Sequence, residues 1–265
     1  MASLAISVRQ NRINLEGLLN MHEENVKRRS SELDRTLRRL RLWRRLQPMF
    51  NLTGALHSRE TFFQGMIHQS ASAMDLRLPP LYPVQSAANY GLLYILMRAI
   101  TEMGCSRVLE LGAGQTTRFL GALQLQRPEL QVTTLESDKE WHERVSKIVS
   151  HTVVHRRLIR RRIEGIEVDA YVDIEPLKDQ KFDLILIDGP HGSRRNSRWT
   201  SLEILSDHLA DEFLVIFDDA ERIGEQDTIR RFMQSRGLDV EFSSAKGMKC
   251  QFLAFSPAFQ AAKFL

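Results

Sequence analysis

The stretch "RVLELGAGQTTRFL", Arg107–Leu120, decides the fold. Branched apolar residues lead to an acid, Glu110. Two glycines, Gly112 and Gly114, then break the run, and helix formers resume. A short buried strand that ends in a glycine turn and opens a helix is one βα step of a doubly wound sheet. Glycine in such a turn allows positive φ and close approach of the backbone to a ligand. The helix start adds unpaired N–H groups. A dinucleotide fingerprint needs a third glycine. Here Gly112-Ala113-Gly114-Gln115-Thr116-Thr117 lacks it, and an acid stands two residues before the first glycine. That arrangement suits a cationic ligand end better than a pyrophosphate.

Outward from this turn, strands and helices alternate. Strands are expected at 107–111, 131–136, about 152–158, 183–188, 213–217, about 239–243 and 250–255. Helices are expected at about 115–126, 138–149, 197–209 and 225–236. Strands separated by helices imply right-handed crossovers and a parallel sheet covered on both faces. The last two strands are joined only by "SAKGMK", too short for a crossover, so that pair is expected to be antiparallel. The fold class is therefore α/β: a doubly wound, mostly parallel sheet of seven strands with the last reversed. "SAANYGLLYILMRAITEMG" precedes it as a mostly buried helix stopped by Gly104.

The second strand ends in Glu136, 26 residues after Glu110. That span holds one helix and one strand, and a carboxylate there suits two ribose hydroxyls. It equally suits a cap on the next helix, with Asp138. The fourth strand ends in Asp188 before Gly-Pro-His-Gly, and the fifth in Asp218 and Asp219. Neighbouring strands bring these three carboxylates together, where they repel unless neutralised.

Taken together, "VLELGAGQTT", "TLESDKEW" and "FDLILIDGP" resemble the seven-strand S-adenosylmethionine-dependent methyltransferases over residues 85–256. The resemblance implies that Glu110, Gly112 and Gly114 surround the amino-acid part of the cofactor and that Glu136 holds its ribose. Gln115, Thr116 and Ser137 complete the expected cofactor set, with Asp188 facing the activated methyl group. The loop after the third strand, near Arg160–Gly165, is expected beside adenine. The strand-end acids are similar to those of catechol-type metal-dependent O-methyltransferases, although Asp219 stands where those carry Asn. That likeness implies a divalent cation (Mg, Mn or Co) on Asp188, Asp218 and Asp219, lowering the pKa of an acceptor hydroxyl. "ESDKEW", "IDGPHG" and "FDDAER" are similar to motifs of the glucuronoxylan O-methyltransferase family, which implies a saccharide acceptor. Asp188, His191 and Asp218 are then the catalytic candidates, with His191 as a general base. "GSRRNSRW" supplies Arg194, Arg195 and Arg198 for a substrate carboxylate, and Trp199 as a sugar platform. Turn formation, capping or a solvated basic loop remain the alternatives for each of these residues.

The chain has 265 residues with 43% hydrophobic and 26% charged content, ordinary for a globular protein. Its net charge of +4 is uneven. Lys27–Arg45 carries nine basic and two acidic residues, and the remainder is slightly acidic. A nucleic-acid partner is thus disfavoured for the main domain, which also lacks the Asn/Asp-Pro-Pro-Tyr/Phe run of base amino-group methylation. Residues 11–46 carry apolar positions at helical spacing. Residues 1–50 are therefore expected to form a basic, coiled-coil-like helical extension, suited to homo-oligomerisation or to an anionic membrane surface or polymer. Residues 51–84 are expected as a linker or cap, and 85–265 as the methyltransferase domain. Two cysteines without metal spacing, no signal-like apolar core and no membrane span give a cytoplasmic expectation. The rival class of function is a scaffold that uses the basic helix. Phenols and nucleic acids are the other acceptor classes.

Overall fold

The structure is a computed structural model that describes residues 55–83, 87–238 and 249–265. The expected basic extension, with its oligomer, membrane and polymer roles, lies outside the described residues. So does the expected strand at 239–243. The chain divides into two units, Met1–Ala55 and Leu56–Leu265. The described part of the expected linker or cap segment falls within the second unit.

Helix α1 (Ala55–Ala73) places Ile67 and Ala71 in the main core, and Leu78 and Leu81 of the expected linker pack on the same core. Helix α2 (Tyr90–Thr101) is capped by Asn89, whose Oδ1 accepts the Leu92 N–H at 3.1 Å. Gly104, at φ +78°, ends it by reversing the chain into the first strand.

The remaining elements follow the expected alternation. They are β1 (Arg107–Leu111), α3 (Gln115–Gln126), β2 (Gln131–Glu136), α4 (Lys139–Val145) and β3 (Thr152–His155). A hairpin, β4 (Leu158–Ile163) and β5 (Ile166–Tyr171), intervenes before β6 (Phe182–Ile187). Then come α5 (Ser201–His208), β7 (Leu209–Phe217), α6 (Ile223–Ser235) and β8 (Phe252–Phe255). Among the described residues the main sheet has six strands in the order β3-β2-β1-β6-β7-β8, all parallel except β8, which runs antiparallel to β7. The order reverses between β1 and β6, the place where ligands sit in doubly wound sheets.

Alternation along the strands builds two cores. Val108, Leu184, Leu186, Leu214 and Ile216 join the helices α1, α2 and α3. Leu109, Leu111, Ile185, Ile187, Val215 and Phe217 join α5 and α6. Every residue of β6 is buried, as a central parallel strand requires. At the carboxyl edge the last aligned row is Leu135, Leu111, Ile187 and Phe217. One residue further, the same four strands deliver Glu136, Gly112, Asp188 and Asp218, in that lateral order.

The β4–β5 hairpin replaces the loop expected at 160–165. Ile163 pairs with Ile166, so Glu164 and Gly165 form its two-residue turn, both at positive φ. It seats Ile163, Val168 and Ala170 on Trp199.

Candidate active site

The glycine turn is held from beneath. The Gly114 N–H donates to Thr117 Oγ1 at 2.8 Å, and the Thr117 hydroxyl donates to Glu110 Oε2 at 2.7 Å. Thr134 of β2 donates to the same oxygen at 2.7 Å. Glu110 Oε1 is buried without a partner. Burial pushes the Glu110 carboxyl up to about 7, against the opposing hydroxyls of Thr116, Thr117 and Thr134. A cationic group brought near it would restore its charge.

Gly112 is required by both conformation and space. Its φ is +92°, and a Cβ there would lie 2.7 Å from Gly189 Cα. Gly189 meets Gly112 in the same way, with a built Cβ 2.5 Å from Gly112 Cα. The β1 and β6 exits therefore touch backbone to backbone at the point where strand order reverses. The following Gly189–Pro190 peptide is cis. Beside Gly114, by contrast, a Cβ would meet nothing within 4 Å. That flank of the turn is open.

Glu136 caps the neighbouring strand end. Its Oε2 accepts the Ala113 N–H at 2.8 Å and its Oε1 the Asp138 N–H at 2.6 Å. Ser137 Oγ lies 3.4 Å from Oε1. Each carboxylate oxygen retains acceptor capacity beyond these bonds. Asp138 caps α4 through the Trp141 N–H at 2.7 Å, so the capping and the ribose readings of this acid pair are compatible. The Trp141 indole N–H donates to Ala113 O at 2.7 Å, fastening α4 to the glycine turn. Thr116 is buried in the first turn of α3. The Gln115 side chain reaches away, accepting from the Tyr82 N–H and donating to Ala88 O at 3.1 Å. It ties the preceding segment to α3.

The three aspartates converge as their spacing predicts. One ligand oxygen of each of Asp188, Asp218 and Asp219 lies within 4.8 Å of the others. What neutralises them was not foreseen. Arg198, expected on the substrate, is buried among the acids. Its Nη2 lies 2.9 Å from Asp219 Oδ2 and 3.5 Å from Asp188 Oδ1, and its other nitrogens donate to the carbonyls of Ile187, Pro190 and Asp218. Lys249 Nζ is 3.1 Å from Asp218 Oδ2 and 3.5 Å from Asp219 Oδ1. Arg222 Nη1 adds a contact of 2.9 Å to Asp219 Oδ2, and Gln251 Nε2 donates to Asp218 Oδ1 at 2.7 Å. Burial first, and then the charge of Asp218, hold the Asp188 carboxyl well above the usual carboxylate range, while Arg198 and Lys249 oppose them. Asp188 is the most accessible of the three, its side chain 17% exposed against 0% and 3% for the other two.

Spacing alone would admit a divalent cation, but the surroundings do not fit one. The groups that point at these carboxylates are an ammonium, two guanidiniums and an amide N–H, all donors rather than ligands. Metal binding at Asp188, Asp218 and Asp219, expected from the sequence, is therefore not carried further.

Trp199 is also displaced from its expected role. It is buried under the β4–β5 hairpin and offers no surface for a sugar. Arg195 pairs with Asp227 through two bonds, at 2.6 and 3.0 Å. His191 and Arg194 are exposed on the loop after β6. Lys249, Gln251 and Arg222 were missed. The signal for Gln251 lay in the antiparallel final strand: Phe217 pairs with Phe252, so the residue opposite Asp218 is Gln251.

Residues 109–220 match the family model described as "Methyltransferase domain". The match spans 112 of the 265 residues, from inside β1 to just beyond β7, and that stretch is similar to methyltransferase domains. The free Oε1 of the acid beneath the turn, the open flank of Gly114 and the acid at the β2 tip would suit a cationic, ribose-bearing molecule such as S-adenosylmethionine. Three solved structures are similar to this chain at low identity. One is a methyltransferase from Pyrococcus furiosus (14% identity, TM-score 0.39, covering 75% of this chain and 97% of that one). Another is the O-methyltransferase TomG from Streptomyces achromogenes in complex with SAM (19%, 0.39, 70% and 84%). The third is an O-methyltransferase from Bacillus cereus in complex with SAH (18%, 0.36, 72% and 88%). Likenesses this distant carry no inference about acceptor or metal. No relative was found among the curated proteins. No helix among the described residues is long and apolar enough to cross a membrane.

Proposed function

We propose that the chain is an S-adenosylmethionine-dependent methyltransferase acting on a hydroxyl of a small acceptor, a saccharide or a related compound, with Asp188 as the base. The supporting observation is the row at the carboxyl edge, where Glu136 and Asp188 flank the glycine turn. Bound S-adenosylmethionine supplies a methyl group on a positively charged sulfur. Glu136 would hold the ribose end, and Glu110 would supply negative potential beneath the amino-acid end. Asp188 takes up the hydroxyl proton as the new carbon–oxygen bond forms and the carbon–sulfur bond breaks. A carboxyl held above its usual range is a stronger base once ionised. Arg198 contacts it at 3.5 Å, and its charge opposes the rise. His191, exposed on the same turn, would then serve as the outer acceptor of that proton. Arg194 is the guanidinium for an acidic acceptor such as a uronic acid.

The test is Asp188→Asn, assayed with labelled S-adenosylmethionine against saccharides, uronic acids, phenols and nucleic acids. The expected loss in kcat is about 10²–10⁴-fold, with the affinity for S-adenosylhomocysteine unchanged by calorimetry. Wild-type turnover by Asp188→Asn, or methylation of nucleic acid alone, would end this reading.

A further inference from the structure

The carboxylates that close the sheet next to the glycine turn form a site that carries its own cations. We infer that Lys249 and Arg198 occupy the electrostatic position of a divalent metal, and that Lys249 is the residue that keeps such an ion out. The inference concerns the cluster and holds whichever hydroxyl is methylated.

Three observations carry it. First, the ligand oxygens of Asp188, Asp218 and Asp219 are close enough to share one ion. Octahedral Mg²⁺ needs oxygens at about 2.1 Å, so an ion bound by Asp218 and Asp219 would sit beside the Lys249 ammonium, which lies 3.1 and 3.5 Å from those same side chains. Like charges at that separation exclude each other unless the lysine leaves. Second, the arrangement is built rather than incidental. Arg198 is buried and gives bonds to three carbonyls as well as to two of the acids. It holds a left-handed φ of +55°, and its partner Asp219 one of +58°. Such conformations persist only where surrounding contacts impose them. Third, Lys249 and Gln251 come from the segment leading into the reversed strand β8, and Gln251 Nε2 also lies 3.1 Å from Asn89 Oδ1. The donors facing the acids are thus fixed to the sheet and to the α2 cap.

Lys249 is the member whose removal changes charge without dismantling the buried guanidinium network. Lys249→Met keeps the length and apolar stem and removes only the ammonium. The experiment titrates the full-length protein with Mn²⁺, followed by electron paramagnetic resonance and calorimetry. Wild type is expected to show no saturable binding at millimolar Mn²⁺. Lys249→Met is expected to gain one Mn²⁺ per chain, and Lys249→Met/Asp218→Asn to lose it again. Binding of S-adenosylhomocysteine by each variant reports that the fold is intact. Saturable Mn²⁺ binding by wild type that Asp218→Asn abolishes would overturn the inference. So would a folded Lys249→Met that still binds no ion. The wild-type titration decides the central point even if the variant is unstable. Because the readout is metal binding, failure here is distinguishable from failure of the acceptor assignment.

Discussion

At the scale of single residues, Glu110 sets a measurable pH dependence. Its carboxyl titrates near 7 in the fold and near 4.5 in the unfolded chain. Between those values the folded state keeps a proton that the unfolded state has lost, so stability from this group falls as pH rises through the window. Glu110→Gln removes that slope. Thermal melts of ligand-free protein are expected to show the variant gaining on wild type between pH 5 and pH 8, and parallel curves would refute the assignment. The acids of the site were legible because each ends an apolar strand. Arg198 and Trp199 were misassigned for a physical reason. They lie in a turn whose backbone goes left-handed at Asn196 and Arg198, so no regular period says which side chains point inward. A basic loop read from composition thus conceals a buried counter-ion.

At the scale of elements, the β4–β5 hairpin is fixed by one ring more than by its ion pairs. Trp199 joins Ile163, Val168 and Ala170 beneath it. Trp199→Ala is expected to cost about 3–5 kcal/mol. The Glu164–Arg231 pair, at 2.6 Å, links the hairpin turn to α6, but both side chains are about two-fifths exposed. Arg231→Ala should cost less than about 1 kcal/mol. Denaturant midpoints check both, and the reverse ranking would show that the charges hold the hairpin. The alternation of "IRRRIEGIEVDAY" was available in the sequence. Its turn, Glu-Gly, is weaker punctuation than Asn-Gly, and consecutive arginines blurred the period, so the hairpin read as a loop. The parallel strands were plainer, because burial on both faces leaves unbroken apolar runs such as "FDLILI".

For the whole molecule, the parallel direction of β1, β2, β3, β6 and β7 follows from the alternation of strands and helices, and the final strand is reversed as expected, against β7. The packing of the segment before the sheet was less legible. Proline-rich "LPPLYP" reads as a linker, yet Leu78 and Leu81 lie on the core beside Ile67 and Ala71. Proline marks where backbone bonding stops, not where packing does. Residues 56–265, expressed without the preceding segment, are expected to unfold in one cooperative transition and to bind S-adenosylhomocysteine. An unfolded product would show that the unit needs the rest of the chain. The lysine contact has a consequence for biosynthesis. Asp218 and Lys249 are 31 positions apart, so a ribosome that has just completed β7 has made the acid but not the base. Until translation reaches the reversed strand, Asp218 must stay hydrated or protonated, and the arrival of Lys249 lets that carboxylate close.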